Sequence, residues 1–440
     1  MMKKDLSVLI LAAGKGKRMK SSKPKVLFEI ANKPMVLHVI DKCINLGIKD
    51  ITIVLNKESD EVKKIIPKEL KVVYQEKQLG TANAILSAEK YLKKINKNLL
   101  VLYADVPLIS ENTIFKLINK TKYEYPHICI FETNKPQGYG RVSIENKSIK
   151  KIVEEQNASA EEKKITLCNS GIFCANSKML FNALKKVKKN IKSKEYLLTD
   201  IFSNYYEKKI PFRYLLVEEE EVLGVNDRKQ LASVEHIFQN KIREKIMENG
   251  VTLVHPETIF FSHDTSIAKD VKIGPNNYFG TGVIIKSNVV ISNNCSIEET
   301  KIGNKSLLGP FCRLRGGNKI GNNVKIGNFV EIKKSTIENN VKLNHLTYVG
   351  DAKIGKNTNI GAGTITCNYD GKSKNNTVIG DNVFIGSNCS LVAPITIKKG
   401  SFIAAGSTIT KNLEENDFGI GRAKQKTFKG RSKKYLKKIN

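Results

Sequence analysis

At 440 residues and 40% hydrophobic content, the chain is long enough for two or three domains with buried cores. Its net charge of +31 is spread rather than focused: only nine of the 74 basic residues are Arg, Trp is absent and aromatics make up 7%, which argues against a specific nucleic-acid surface while favouring anionic substrates. No apolar run approaches roughly 18 residues, so no membrane span is expected.

The start, Met1-Met2-Lys3-Lys4, is basic, but the apolar stretch after it is short and runs into Gly14-Lys15-Gly16-Lys17-Arg18. A secretory leader would end in a small-residue cleavage site, so the chain reads as cytoplasmic. The eight Cys form no Cys-x-x-Cys pair and have no His at zinc-site spacing. They are expected to be small buried hydrophobes in a reducing compartment.

From residue 6 the pattern alternates: strand 6–11, helix 35–46, strand 51–55, strand 72–74, helix 81–92, strand 99–103. That order predicts a doubly wound, mainly parallel α/β sheet with ligands beyond the carboxyl ends of its strands. The first strand ends in Leu11-Ala12-Ala13-Gly14-Lys15-Gly16-Lys17-Arg18-Met19. Its glycines let backbone approach a phosphate chain, and Lys15 and Arg18 are cationic donors. It lacks the third Gly of a dinucleotide fingerprint and the closing Gly-Lys-Ser/Thr of a P-loop. Pro24-Lys25, Gln75, Gln78-Leu79-Gly80-Thr81 and Tyr103-Ala104-Asp105-Val106-Pro107 accompany it at other strand ends. Asp105 is placed where a carboxylate could hold Mg²⁺ against a triphosphate, with a turn-forming Asp before Pro107 as the alternative.

Residues 227–249 read as a helix with Leu231, Val234, Phe238, Ile242 and Ile246 at steps of three and four, ending at Gly250; it is expected to be a rigid spacer between two sites. Beyond it the chain counts in sixes, from Ile267 through Ile273, Phe279, Ile285, Ile291 and Ile297 and on, with small slips, to Ile409. A fixed short period means a solenoid; three hexads make one triangular coil of a parallel β-helix, the aliphatic pointing inward and Gly, Asn or Asp relieving crowding at the corners. The beat is decorated by Arg313, Arg315, Lys333 and Lys334, then by Asn344-His345-Leu346-Thr347-Tyr348. It is broken by a loop from Cys367-Asn368-Tyr369 out to Thr377. The Lys-rich tail 422–440 reads equally as an arm ordered at a site or as a solvated one.

The dense motif set of the first half resembles the sugar-nucleotide pyrophosphorylases. Joined to a hexapeptide β-helix, it resembles, over essentially the whole length, the bifunctional bacterial enzymes that acetylate glucosamine-1-phosphate and then uridylylate the product. The resemblance implies a Rossmann-like nucleotidyltransferase domain at 1–226, a helical linker at 227–249, and a left-handed parallel β-helix acetyltransferase domain with a C-terminal arm at 250–440. It also implies the co-substrates UTP and acetyl-CoA, Mg²⁺, a homotrimer with shared acetyltransferase sites, and a role in supplying peptidoglycan and lipopolysaccharide precursors.

By the same resemblance, Leu11, Ala12, Ala13 and Gly14 would contact the nucleotide, Arg18 and Lys25 would neutralise the reacting phosphates, and Gln75, Gly80 and Thr81 would read uracil. Tyr103, Ala104 and Asp105 would complete that site, with Asp105 and Asn226 binding Mg²⁺. Gly140, Glu154 and Asn169 would form the sugar side; taken singly they read as a hairpin turn, a solvated charge and a strand-end cap. His345 would be the general base for the attacking amine, since imidazole titrates near the working pH. Arg315, Lys333, Tyr348 and Asn359 would hold the sugar phosphate, and Ala362, Asn368, Tyr369, Ser387, Ala405 and Arg422 would line the acetyl-CoA channel. Lys17 stands where relatives often carry a small polar residue, and Gly316 where they often carry Pro. Two other readings stand beside this one: a monofunctional nucleotidyltransferase with an oligomerising β-helix, and a catalytically silent sugar-nucleotide sensor or polyanion-binding scaffold.

Overall fold

The structure, a computed structural model, describes residues 5–57, 59–92, 97–123, 125–191 and 194–436. It divides into two compact units, Met1–Gln239 and Asn240–Asn440. Among the described residues no helix is long and apolar enough to cross a membrane.

In the first unit β1 (Leu6–Leu11) is buried at every residue, as a central parallel strand covered on both faces must be. It pairs in parallel with β2 (Ile51–Asn56) on one side and β4 (Asn98–Tyr103) on the other, and β2 pairs in parallel with β3 (Lys71–Gln75) at the edge. Later in the chain come the strands β5 (His127–Glu132), β6 (Arg141–Glu145), β7 (Ser148–Val153), β8 (Leu167–Asn176) and β9 (Arg213–Leu216). The sheet order is β9-β5-β8-β4-β1-β2-β3, with β8 antiparallel to both neighbours and the β6–β7 hairpin attached to β8. The helices include α1 (Met35–Asn45), α2 (Thr81–Ser87), α3 (Ser177–Leu184) and α4 (Asp200–Glu207).

The single helix expected over 81–92 is two, Thr81–Ser87 and Glu89–Leu92. The Ser87 hydroxyl donates to the Ala84 carbonyl at 2.6 Å and Ala88 N–H turns back to Ile85 O, so local bonds replace the regular ladder at that point. Helix α5 (Arg228–Glu248) starts where Asp227 Oδ1 accepts from Gln230 N and stops before Gly250, whose φ of +86° suits a helix terminus.

The second unit is a parallel β-helix. Residues of the six-beat from Ile273 to Ile409 fill one continuous buried column, with Ile267 packed at its edge. Each coil hydrogen-bonds to the next, as in Gly386 N to Ile403 O and Gly355 N to Ile379 O, both at 2.8 Å. The Gly residues after the aliphatics are required by backbone proximity. A Cβ on Gly355 would stand 2.4 Å from the Gly380 carbonyl carbon, and one on Gly361 2.5 Å from Ser387 N.

One corner carries an Asn ladder, Asn323 to Asn340 to Asn357 to Asn382, linked Nδ2 to Oδ1 at 2.8, 2.9 and 3.0 Å. These residues take φ between +55° and +62°, a left-handed conformation Asn tolerates. A second corner departs from the Gly, Asn or Asp expected there. Phe311, Phe329 and Leu346 hold φ of +55°, +56° and +46° while 48%, 55% and 61% exposed. Their strain is offset by coil-to-coil bonds made at the corner itself, Phe329 N to Phe311 O at 3.0 Å and Gly363 N to Leu346 O at 2.9 Å.

Because the inward column is one continuous buried apolar cluster, one truncation inside it is expected to be costly. Leu343→Ala, at a fully buried site, should lower stability by about 2–5 kcal/mol. A urea titration measures this, and a loss under about 0.5 kcal/mol would contradict the packing described.

Candidate active sites

The carboxyl ends of β1, β3 and β4 open onto a cavity of about 350 Å³. Its lining brings together Leu11, Ala12, Ala13, Gly14, Lys25, Gln75, Gly80, Thr81, Tyr103 and Asp105, with Lys15, Gln78 and Glu195 completing the wall. The Gly loop is anchored from below: Asn56 Nδ2 and Gln78 Nε2 both donate to Ala13 O, at 3.3 and 2.6 Å. Gln75 lies buried on β3, its amide donating to Gly80 O at 3.2 Å and to Asn83 Oδ1 at 3.0 Å.

Lys25 Nζ contacts the Asp105 carboxylate and donates to Asn226 Oδ1 at 3.1 Å. Val225 N bonds to Asp105 O at 2.9 Å, which ties the Asn226 segment to the end of β4. A carboxylate and an amide oxygen thus converge on one cationic centre, a hard-oxygen donor pair of the kind Mg²⁺ accepts alongside substrate phosphates. Among the described residues there is no cluster of three or more His, Cys, Asp or Glu that could hold a metal, so any ion here would rely on that pair and on its ligand's oxygens. Arg18 sits exposed on the short turn Lys17–Met19 and is not part of the cavity lining.

Gly140, Glu154 and Asn169 come together on neighbouring strands. A Cβ on Gly140 would lie 3.6 Å from Asn169 Cβ and 3.7 Å from Glu154 Oε2, and Asn169 N donates to Gly140 O at 2.9 Å. Gly171, φ +78°, leaves the room that the Tyr103 ring fills; a Cβ there would stand 2.8 Å from it. Burial raises the Glu154 carboxyl above its ordinary value; Thr199 opposes this by hydrogen bonding, and the charges of Asp200 and Glu195 add to it. Burial, then Asp105 and Glu154, push the Tyr103 phenol well up, so the ring enters the cavity neutral.

The second site lies on the β-helix. Arg315, Lys333 and Gly350 are register neighbours on successive coils, as are Glu331 and Tyr348. Arg315 Nε donates to Glu331 Oε1 at 2.7 Å, and Asn368 Nδ2 donates to Asp351 Oδ2 at 2.5 Å. Gly350 is the hub: a Cβ there would meet Tyr348 OH at 2.5 Å and Asn368 Nδ2 at 2.6 Å. Arg315, Lys333, Tyr348 and Asn368 therefore share one corner, which gathers two cations, a phenol and an amide. Gly316 and Gly317 turn the chain after Arg315 at φ +68° and +80°; Pro, fixed near −65°, could not take that place.

His345 stands at the next corner. Its register partner one coil earlier is Asn328, whose Oδ1 is 2.9 Å from Nδ1. An amide oxygen only accepts, so Nδ1 carries the hydrogen, and in the neutral ring Nε2 is the nitrogen left with a lone pair. Ala362, Ser387 and Ala405 continue this column, each preceding a left-handed residue (Gly363, Asn388, Gly406) as His345 precedes Leu346. Asn388 N to Ala362 O and Gly406 N to Ser387 O, both 2.7 Å, lock the coils, and Arg422 Nη1 closes on Ala405 O at 2.6 Å. Asn359 pairs with Lys342 and Phe384, on the face entering this column rather than at the Arg315 corner. Tyr369 is exposed on the loop, its hydroxyl donating to Gly371 O and its ring under Lys374 Nζ.

Glu195 was not signalled by any motif; it reaches the cavity because Tyr196 N bonds to Leu79 O at 2.8 Å and Ala82 N to Tyr196 O at 3.3 Å. Asn328 could have been found by counting one coil back from His345.

A carboxyl whose folded value is raised costs stability when ionised: the penalty is absent below its unfolded value of about 4.3 and complete once pH exceeds the folded one. Glu154→Gln should thus unfold at higher urea than the parent at pH 7, the gap closing by pH 4. An equal gap at both pH values would show that burial does not govern this group.

Residues 7–221 match a family model described as nucleotidyl transferase. Residues 299–334 and 376–411 match one described as bacterial transferase hexapeptide (six repeats). A protein of Zymomonas mobilis named "Bifunctional protein GlmU" is 43% identical over 445 residues, spanning 98% of this chain and 99% of its own length. Proteins of the same name from Clostridium novyi (42% over 455 residues, 98% and 99%) and Thermosipho melanesiensis (43% over 438 residues, 96% of each) match similarly. With both halves matched at this coverage, the chain belongs to the GlmU family of bifunctional proteins.

Proposed function

We propose that this chain makes UDP-N-acetylglucosamine in two steps: acetyl transfer from acetyl-CoA to glucosamine-1-phosphate in residues 250–440, then Mg²⁺-dependent uridylyl transfer from UTP in residues 1–226, with 227–249 as the linker. The observation that carries it is the coexistence of the Lys25–Asp105–Asn226 centre in the first unit and the Asn328-oriented His345 in the second.

In the first reaction the amine of glucosamine-1-phosphate attacks the thioester carbonyl. His345 Nε2 takes the amine proton, and CoA leaves with its thiol. Arg315 and Lys333 neutralise the sugar phosphate, Tyr348 and Asn359 hold the sugar, and Asn368 stands beside them at the mouth of the coenzyme channel. The edge from Ala362 through Ser387 to Ala405 offers small side chains along which coenzyme can lie, with Tyr369 and Arg422 at its flanks.

In the second reaction a phosphate oxygen of N-acetylglucosamine-1-phosphate attacks the α-phosphorus of UTP and pyrophosphate leaves. The chain positions the reactants and balances charge. The Gly14 loop admits the phosphate chain, Gln75, Gly80 and Thr81 bracket the base, and Gly140, Glu154 and Asn169 bracket the sugar. Mg²⁺ held by Asp105 and Asn226 would neutralise charge on the phosphates, and Lys25, released from Asp105, would follow the reacting phosphate. Lys15 in the cavity wall and Arg18, exposed on its turn, are further cations for the polyphosphate tail.

A homotrimer is the proposed assembly. The exposed apolar corner of Phe311, Phe329 and Leu346, adjacent to His345, supports a neighbouring prism completing the acetyl-transfer site. UTP and acetyl-CoA are cytoplasmic metabolites, and the product feeds cell-wall and lipid A synthesis, so the cytoplasm is the proposed location.

His345→Ala should lower acetyl transfer by about 10²–10⁴-fold while pyrophosphate release stays within about twofold. Asp105→Ala should do the reverse, with a loss on the order of 10²-fold or more. Parallel decline of both activities in either variant would refute two independent sites. Asn328→Ala removes one oriented hydrogen bond and should reduce the kcat of acetyl transfer about tenfold to hundredfold while changing its pH profile. An unaltered profile would make Asn328 a packing residue only.

A further inference from the structure

Beside the sugar side of the first site lies an ion pair that neither reaction has used. Arg141, the first residue of β6, is 1% exposed; its register partners are Val153 in the β6–β7 hairpin and Cys168 on β8. Its Nη2 donates to Glu155 Oε2 at 2.8 Å and its Nη1 donates to the Tyr139 carbonyl. The same Glu155 oxygen accepts from Gly138 N at 2.8 Å. One guanidinium and one carboxylate therefore hold both ends of Gly138-Tyr139-Gly140.

The pair gains its meaning from its neighbours in sequence. Arg141 follows Gly140 and Glu155 follows Glu154, two of the three residues that bracket the sugar. The bond from Arg141 to Glu155 thus ties together the two segments that present Gly140 and Glu154, where a Cβ on Gly140 would lie 3.7 Å from Glu154 Oε2. A Gly-Tyr-Gly segment has little conformational preference of its own. Gly138 holds φ of +86° with open space where a side chain would stand, so local sterics do not fix it and the bond to Glu155 does. The Tyr139 ring, edge-on to Phe131 at 5.0 Å, steadies the middle of the segment. Stability alone is a poor account of Arg141. Its Nε is buried with no hydrogen-bond partner among the described residues, and a buried guanidinium with a donor unmet contributes less to stability than well-packed apolar residues do.

We infer that Arg141 and Glu155 are positioning residues for the sugar-1-phosphate: without touching the substrate, the pair fixes the separation of Gly140 from Glu154 and so sets how tightly the sugar is held. Neither residue lines the nucleotide cavity, so recognition of the nucleotide by Gly14, Gln75 and Gly80 does not depend on the pair. The inference rests on the uridylyl-transfer reading of this site.

Pyrophosphate release by the full-length chain with Mg²⁺, each substrate varied against a saturating level of the other, tests it in the parent, Arg141→Met, Arg141→Lys and Glu155→Ala. In Arg141→Met and Glu155→Ala the KM for N-acetylglucosamine-1-phosphate should rise at least about tenfold while the KM for UTP stays within about twofold. Arg141→Lys keeps the charge but not the forked donor geometry and should fall between parent and Arg141→Met. An unaltered sugar KM, or an equal rise in both KM values, would overturn the inference. Hydrogen exchange judges the clamp without any substrate: the Gly138 amide should exchange at least about tenfold faster in Arg141→Met and Glu155→Ala, with β1 unchanged. Exchange as slow as in the parent would also overturn it. A parent inert toward both substrates would sink the uridylyl reading instead, and exchange alone would then decide the clamp. The Glu155 side chain is partly exposed, so Glu155→Ala breaks the pair from its accessible end if Arg141→Met does not fold.

Discussion

Each coil of the prism brings the chain back over itself about 4.8 Å along the axis, so outward residues on successive coils form straight columns. The second site depends on this return. Asn328, His345, Ala362, Ser387 and Ala405 are separated in sequence by one coil or by one coil plus an excursion, and stacking makes them a continuous edge. The nine-residue excursion 368–376 leaves the column intact because strand Thr377–Ile379 re-enters the register of Ala352–Ile354, and Asn368 is pinned to Asp351 as it leaves. Length can be added where the chain points outward; it cannot be added within a hexad without turning every later side chain out of place.

The first unit uses a different constraint. Parallel strands end at one level, so three separate loops meet above β1, β3 and β4, and backbone bonds rather than side-chain bulk set their spacing. Lys25 joined to Asp105 and Asn226 gives the loops a charge balance without ligand. In the proposed reaction that cation would trade carboxylate for phosphate oxygen, a local electrostatic exchange.

Much of this was legible because periodicity reports burial directly. The six-beat identified the inward column residue by residue, and the strand ends of the first half were marked by Gly14, Gly80 and Asp105. What periodicity cannot report is contact between segments distant in sequence. Glu195 enters the cavity through the hydrogen bonds of its neighbour Tyr196, and the partners Asn328 and Glu331 follow only once the coil length is known. Asn359 belongs to the phosphate set by resemblance alone; its register beside Lys342, just before the His345 column, follows only once the coil length is known. Local preference also misled at two places. Phe311, Phe329 and Leu346 occupy left-handed corners that favour Gly or Asn, because coil-to-coil bonds outweigh intrinsic preference there. The helix expected over 81–92 breaks because Ser87 bonds its own turn.

A crystal structure of the full chain with acetyl-CoA bound would test the column most directly. The thioester carbon should lie within about 6 Å of His345 Nε2, which leaves room for one amine hydrogen-bonded to the ring and in contact with the carbonyl, with the pantetheine running past Ala362 and Ser387 toward Ala405. Ordered coenzyme on any other face of the prism, or with its thioester beyond reach of His345, would contradict the assignment of that edge as the acetyl-transfer site.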